Sequence, residues 1–138
     1  MKGENGMSKD EIQQRIRAIY QDILIDLKVE CIDDYFATDY TQVTDHDKVD
    51  LAGFKAHLNK LKEVVEKLEV ESFKDELVDE SQRSVFLRYD VEVLKKDGSE
   101  GVVEVYAIFK FNEDGKLVSC RELTQESNRE VQGLGSIS

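Results

Sequence analysis

Between Ser84 and Gln125, valine, leucine and aromatic residues recur at every second position in SVFLRYDVEVL, VVEVYAIFKF and KLVSCRELTQ. A period of two gives a segment two unlike faces, so the spacing predicts three strands. Asp97-Gly98 and Asp114-Gly115 fall in the intervening breaks KKDGSEG and NEDG. These residue types tolerate positive φ, which makes each break a hairpin.

Upstream the period changes to that of a helix. Ser8 followed by Glu11 has the spacing of a capping box. Ile12, Ile16, Ile19, Tyr20, Ile23, Leu27 and Cys31 then form one stripe, which Leu24, Ile25 and Val29 widen. The pattern predicts one long, deeply buried first helix. A short helical turn over Ile32–Phe36 and a short strand over Asp39–Val43 come next, followed by a polar loop over Thr44–Lys48. Asp50 is placed to cap a third helix, LAGFKAHLNKLKEVVEKLEV, whose inward positions are Leu51, Phe54, Leu58, Leu61, Val65 and Leu68. His57 stands at the edge of that face. Val70–Val78 (VESFKDELV) has apolar spacing that suits a strand and acids that suit a solvated edge.

This order predicts an α+β protein: three N-terminal helices covering one face of a curved antiparallel sheet, a cone-shaped α+β barrel with a pocket at its open end. A length of 138 residues corresponds to one domain, read as residues 8–126 with flexible tails at 1–7 and 127–138.

Composition removes several function classes. The net charge of −11 opposes nucleic acid and anionic membrane as partners. No apolar run is long enough to span a bilayer and the first residues lack a signal-peptide core, so a cytoplasmic protein is expected. Cys31 and Cys120 are isolated thiols, and the two histidines lie in no ligand-spaced cluster. Neither a metal nor another cofactor is expected.

The runs YFATDYTQVTD, GFKAHL, KKDGSEG and FKFNEDGKLVSCRELT, in this order and spacing, resemble the nuclear transport factor two superfamily. The similarity is to its branch of SnoaL-like polyketide cyclases and ketosteroid isomerases, in particular small bacterial members, and it extends over Ile12–Gln125. It implies the cone fold, a homodimer and a pocket for a small hydrophobic or mixed-polarity molecule. Laid against ketosteroid isomerase, the tyrosine that serves the oxyanion falls on Tyr20. The protonated aspartate falls on Ala107 and the general-base aspartate on Thr44, next to Asp45. Two of three catalytic positions are therefore missing, and ketosteroid isomerase activity is not expected.

The same alignment implies pocket positions at Arg88, Asp90, Glu92 and Leu94, at Val105, Ala107 and Phe109, and at Cys120, Glu122 and Thr124. Tyr40, Gln42 and His57 are added as ligand contacts. The alignment turns Tyr89 and Val91 outward, whereas alternation of Val85, Leu87, Tyr89, Val91 and Val93 turns them inward. A bulge near Asp90 would reconcile the two. Glu122, Asp90, Tyr20 and His57 are the candidate catalytic groups, with Glu122 foremost because a carboxylate on an inward strand face is costly without a role or an arginine partner. Each has a structural alternative: a core tyrosine, a surface ion pair for Arg88 and Asp90, a surface histidine, a buried thiol for Cys120. Two function classes follow: an isomerase-, cyclase- or hydratase-type enzyme using a pocket carboxylate, or a non-catalytic binding module or dimeric scaffold. Val102, Tyr106, Ile108 and Val118, all turned outward, favour a dimer through the sheet face.

Overall fold

The computed structural model describes residues 6–126. Helix α1 spans Lys9–Ile19, and its capping box is formed: the Ser8 hydroxyl accepts from Glu11 N at 3.1 Å while Ser8 N donates to the Glu11 carboxylate at 3.3 Å. The helix then widens into a π turn over Tyr20–Ile25 and ends at Leu27, whose φ of 49° is left-handed. Val29–Cys31 forms a separate tight turn, so the single long helix expected from the stripe is two pieces. The break is invisible to periodicity because Leu27 and Val29 continue the apolar stripe across it. Helix α2 is Ile32–Tyr35 and helix α3 is Leu51–Val64, the latter capped by Asp50 through Gly53 N at 2.9 Å.

Six strands follow the order β2-β1-β6-β5-β4-β3, with β1 at Phe36–Thr44, β2 at Asp47–Asp50, β3 at Val65–Asp79, β4 at Ser84–Lys95, β5 at Glu100–Phe111 and β6 at Leu117–Glu126. The sheet is curved, unclosed and mixed rather than wholly antiparallel: β1 runs parallel to β6, and every other neighbouring pair is antiparallel. A parallel contact joins strands far apart in sequence, and no local pattern announces it. Strand β2 lies partly in the segment read as a polar loop. Asp45, at φ 56°, makes the tight reversal into it.

The third helix ends at Val64, six residues before its expected end, and β3 begins there. The reason is geometric. Register shifts at Val65/Lys67, Val70/Phe73 and Phe73/Asp75 insert extra residues into β3, so its inward positions fall at Val65, Leu68, Val70, Phe73, Glu76 and Val78. Three-residue gaps of that kind imitate a helical stripe. The β4–β5 register runs unbroken past Asp90, so the bulges lie on β3 and not near Asp90.

The core fills the concave face. Ile12, Ile16 and Ile19 of α1 and Leu58 and Leu61 of α3 pack on Val85, Leu87, Ala107, Phe111 and Leu117 of the sheet. Met7, read with the amino-terminal tail, is buried in this cluster. The tail read over 127–138 lies outside the described residues. Among the described residues no helix is long and apolar enough to cross a membrane.

Candidate functional site

Alternation decides the phase of β4. Val85, Leu87, Tyr89, Val91 and Val93 are buried, which leaves Arg88 and Asp90 on the convex face. There Arg88 binds Asp75 at 2.6 Å and Glu104 at 3.2 Å, and Lys74 binds Asp90 at 2.7 Å. Arg88 and Asp90 are therefore removed from the site, and Arg88 is no partner for Glu122. They form a half-exposed ion cluster of small energetic weight. The gap-free alignment failed on β4 because a one-residue offset reverses every side chain of a strand.

Between the helices and the sheet lies a cavity of about 120 Å³, room for roughly eight waters or one ring-sized molecule. Tyr20, Tyr40, Gln42 and His57 line it, as do Phe109, Cys120, Glu122 and Thr124. Ala107 is buried on the same face of the sheet but does not reach the cavity wall. The remaining wall is apolar, with Phe54, Leu58 and Leu61 from α3 and Val91, Val103 and Val105 from the sheet.

The polar groups converge on Glu122. Residues 40, 42 and 44 alternate along the inward side of β1, and Thr44 is the register partner of Glu122 across the parallel pair. Tyr40 Oη donates to Gln42 Oε1 at 2.7 Å. Gln42 Nε2 donates to Thr44 Oγ1 at 3.0 Å and reaches Glu122 Oε1 at 3.4 Å. Thr44 Oγ1 donates to Glu122 Oε1 at 2.9 Å. Among the described residues the other carboxylate oxygen, Oε2, has only the Cys120 sulfur at 3.9 Å, beyond a strong hydrogen bond.

Burial raises the pKa of Glu122; the Thr44 hydrogen bond opposes the rise and the Asp45 charge adds to it. Among the described residues no cation sits beside the carboxyl to reverse the shift. Asp45 itself turns away, accepting from Thr124 N at 2.9 Å and Thr124 Oγ1 at 2.7 Å. Burial also pushes the Cys120 thiol well above its usual value, which makes it an inert small hydrophobe rather than a nucleophile. His57 is held below its ordinary value by burial and stands neutral at the helical wall.

A second polar pair faces the cavity. Tyr20 and Tyr89 hydrogen-bond hydroxyl to hydroxyl at 2.7 Å, and their rings meet edge to face with centroids 5.0 Å apart. Phe73 and Phe109 close around the Tyr20 ring. Tyr89 lines the cavity and Thr44 holds Glu122, and neither is among the candidate site residues read from the sequence. The alternation of β4 contained the signal for Tyr89; for Thr44 the signal is the parallel register, which no single sequence displays.

The chain matches no family model and no curated protein. Solved structures do match its fold. AusH from Aspergillus nidulans superposes with a TM-score of 0.77 at 17% identity, covering 93% of this chain and 91% of that one. An LEH-like epoxide hydrolase from M. tuberculosis gives 0.70 at 13% identity over 84% of each chain. An NTF2-like protein of unknown function from Burkholderia pseudomallei gives 0.67 at 10% identity over 84% and 90%. The architecture is thus the nuclear transport factor two-like cone, as the sequence resemblance implied.

Proposed function

We propose that the cavity binds a small, mainly apolar molecule and that Glu122 exchanges a proton with it as general acid and base. The observation that supports this is the carboxyl itself: it lies buried in a mainly apolar cavity with no cation beside it among the described residues, one oxygen held by Thr44 and Gln42, the other approached by the Cys120 sulfur at 3.9 Å. A carboxylate serving only the fold would be expected to keep a charged partner. A carboxyl pKa raised by burial in a cavity is a mark of proton-transfer sites. Neutral His57 on the opposite helical wall is the second group able to take a proton. The reaction class that fits is isomerase-, cyclase- or hydratase-like. That the same cone carries an LEH-like epoxide hydrolase in M. tuberculosis supports an enzyme over a bare scaffold, by analogy of fold alone.

Calorimetric titration with single-ring ketones, epoxides and hydrocarbons tests the reading. Micromolar-to-millimolar binding of at least one of them is expected, with turnover abolished by Glu122→Gln and binding retained. A protein that binds none of them overturns it.

The assembly belongs to the same proposal. On the convex face, Leu77, Tyr106, Ile108 and Leu123 are exposed, at 67%, 40%, 51% and 60%. Register places Leu77 opposite Phe86, Phe86 opposite Ile108, and Tyr106 opposite Leu123, so they form one apolar strip across four strands. Such a strip suits a second copy packed face to face.

A further inference from the structure

Resting on the reading of Glu122 as the proton-exchanging group, we propose that Tyr40 is a positioning residue: by donating to Gln42 it fixes which way that amide faces, and so which oxygen of Glu122 is tied down. Residues 40, 42 and 44 are successive inward positions of β1, where a sheet face built only for packing would carry apolar side chains. Instead Gln42 and Thr44, at 9% and 6% exposure, are buried there among the core residues. Buried polar groups are costly unless each is paired. Tyr40 begins the series that pairs them. Its ring is clamped by Phe36 and Phe54, with centroids 4.7 and 5.4 Å away. Its hydroxyl keeps its hydrogen, because burial, before any other cause, pushes its pKa well above the ordinary 10.0.

The Gln42 amide has two ways to sit, and they treat Glu122 differently. In the first, its carbonyl end accepts from Tyr40 at 2.7 Å and its NH2 end donates to Thr44 Oγ1 at 3.0 Å. Thr44 then spends its one hydroxyl hydrogen on Glu122 Oε1 at 2.9 Å, and the second amide hydrogen points at the same oxygen across 3.4 Å. Two donors meet Oε1, which favours the carboxylate. Reversed, the amide would set its own oxygen 3.4 Å from Oε1, acceptor against acceptor, and would compete for the Thr44 hydrogen. Tyr40 decides between them, because its donated hydrogen completes the first arrangement and has no comparable acceptor in the second. The Cys120 sulfur beside the Tyr40 hydroxyl is a weak acceptor only. Oε1 is thus committed to β1, and Oε2, which has the Cys120 sulfur at 3.9 Å, is the oxygen left to exchange the proton. Tyr40 makes no hydrogen bond to Glu122 itself among the described residues and acts through Gln42.

A ¹³C NMR titration of the Glu122 carboxyl in the full chain tests this, on the wild type, Tyr40→Phe, Gln42→Met and the double variant. Tyr40→Phe keeps the ring between Phe36 and Phe54 and deletes the hydroxyl. The expected result is an acid constant of Glu122 about five-fold smaller, the worth of one hydrogen bond. In the Gln42→Met background, where no amide remains to be oriented, Tyr40→Phe should leave the titration unmoved. The other ionisable groups around Glu122 are Tyr20 on the π turn, Asp45 after β1, His57 on α3, Tyr89 on β4 and Cys120 beside it on β6. All of them are the same in the four proteins. A tyrosine that serves packing alone would cost stability in both backgrounds and shift the titration in neither, which overturns the assignment. An equal shift in both backgrounds overturns it too, since Tyr40 would then act without Gln42. If Tyr40→Phe fails to fold, the wild-type amide decides: nuclear Overhauser contacts from the Gln42 NH2 hydrogens to Thr44 support the inference, and contacts to the Tyr40 ring instead overturn it. No ligand is needed for these measurements. Shifts as expected in a protein that binds none of the ketones, epoxides and hydrocarbons would sink the proton-transfer reading and uphold the orientation by Tyr40.

Discussion

Thr44 and Glu122 are register partners on the parallel β1–β6 pair, and the threonine hydroxyl donates to Glu122 Oε1 across 2.9 Å. Position 44 is where the resemblance to ketosteroid isomerase would have a general-base aspartate. In this chain residue 44 is a threonine that holds Glu122, a carboxyl on the neighbouring strand.

Removing that hydrogen bond should make Glu122 a weaker acid. Thr44→Val keeps the shape of the side chain and deletes the hydroxyl. Since the Thr44 bond holds the Glu122 pKa down against burial, the pKa should rise further, and stability should fall by about 1 kcal/mol. A ¹³C NMR titration of the Glu122 carboxyl and urea unfolding measure the two effects. An unchanged or lowered pKa would contradict the geometry.

Glu122→Gln should alter stability in a pH-dependent way. The folded-state pKa lies above the ordinary value of 4.5, so between that value and the folded pKa the folded chain binds more protons than the unfolded one. Wild-type stability therefore falls as pH rises through this window and levels off above it. Glutamine imitates the neutral acid and lacks this loss, so the variant should gain on the wild type from pH 4.5 upward. His57 contributes with the opposite sign: its lowered pKa costs stability as pH falls below its ordinary 6.5, equally in both proteins. The Cys120 thiol and the Tyr20, Tyr40 and Tyr89 hydroxyls, all pushed up foremost by burial, stay protonated across this window. Denaturation midpoints at pH 4, 6 and 8 (values chosen around the window, approximate) check the divergence, and parallel curves would show an ordinary surface-like glutamate.

Gly53→Ala tests the seating of α3. A Cβ at this position would meet Val49 Cβ at 2.9 Å. Val49 Cβ sits next to the β2 backbone and cannot swing away, so the helix or the strand has to shift. A loss of about 1–3 kcal/mol is expected, read by thermal or urea unfolding. A neutral result would mean that the β2–α3 junction yields readily.

The convex strip makes a quantitative claim about assembly. Leu123→Lys combined with Ile108→Lys places two charges in the middle of it. Sedimentation should show a dimer for the wild type and a monomer for the variant, with the folded far-ultraviolet spectrum retained. A wild type that sediments as a monomer at about 50 μM, roughly the range of weak dimers, would refute the pairing.

A 5-ene-3-ketosteroid should pass unconverted. Ala107 has no proton to donate to an enolate, and a cavity of about 120 Å³ lies below the roughly 300 Å³ at which drug-sized ligands begin to fit. Rapid turnover in the ultraviolet assay would reverse both arguments.

The amino-acid sequence by itself determined the caps at Ser8 and Asp50, both hairpins, the inward face of β5 and the alternation of β4, because each depends on residues a few positions apart. Strand alternation put Cys120, Glu122 and Thr124 on one face of β6, and the resemblance to the isomerases turned that face inward. The tertiary structure alone decided the rest. Bulges in β3 disguised a strand as the end of a helix by restoring three-residue spacing. A left-handed Leu27 divided the first helix without interrupting its stripe. The parallel β1–β6 register set Thr44 against Glu122 from 78 positions away, and the seating of the π turn over the sheet brought Tyr20 to Tyr89 from 69 positions away. Such pairings arise from how twisted strands and helices close over one another, and a local pattern of apolar and polar residues carries no record of that closure.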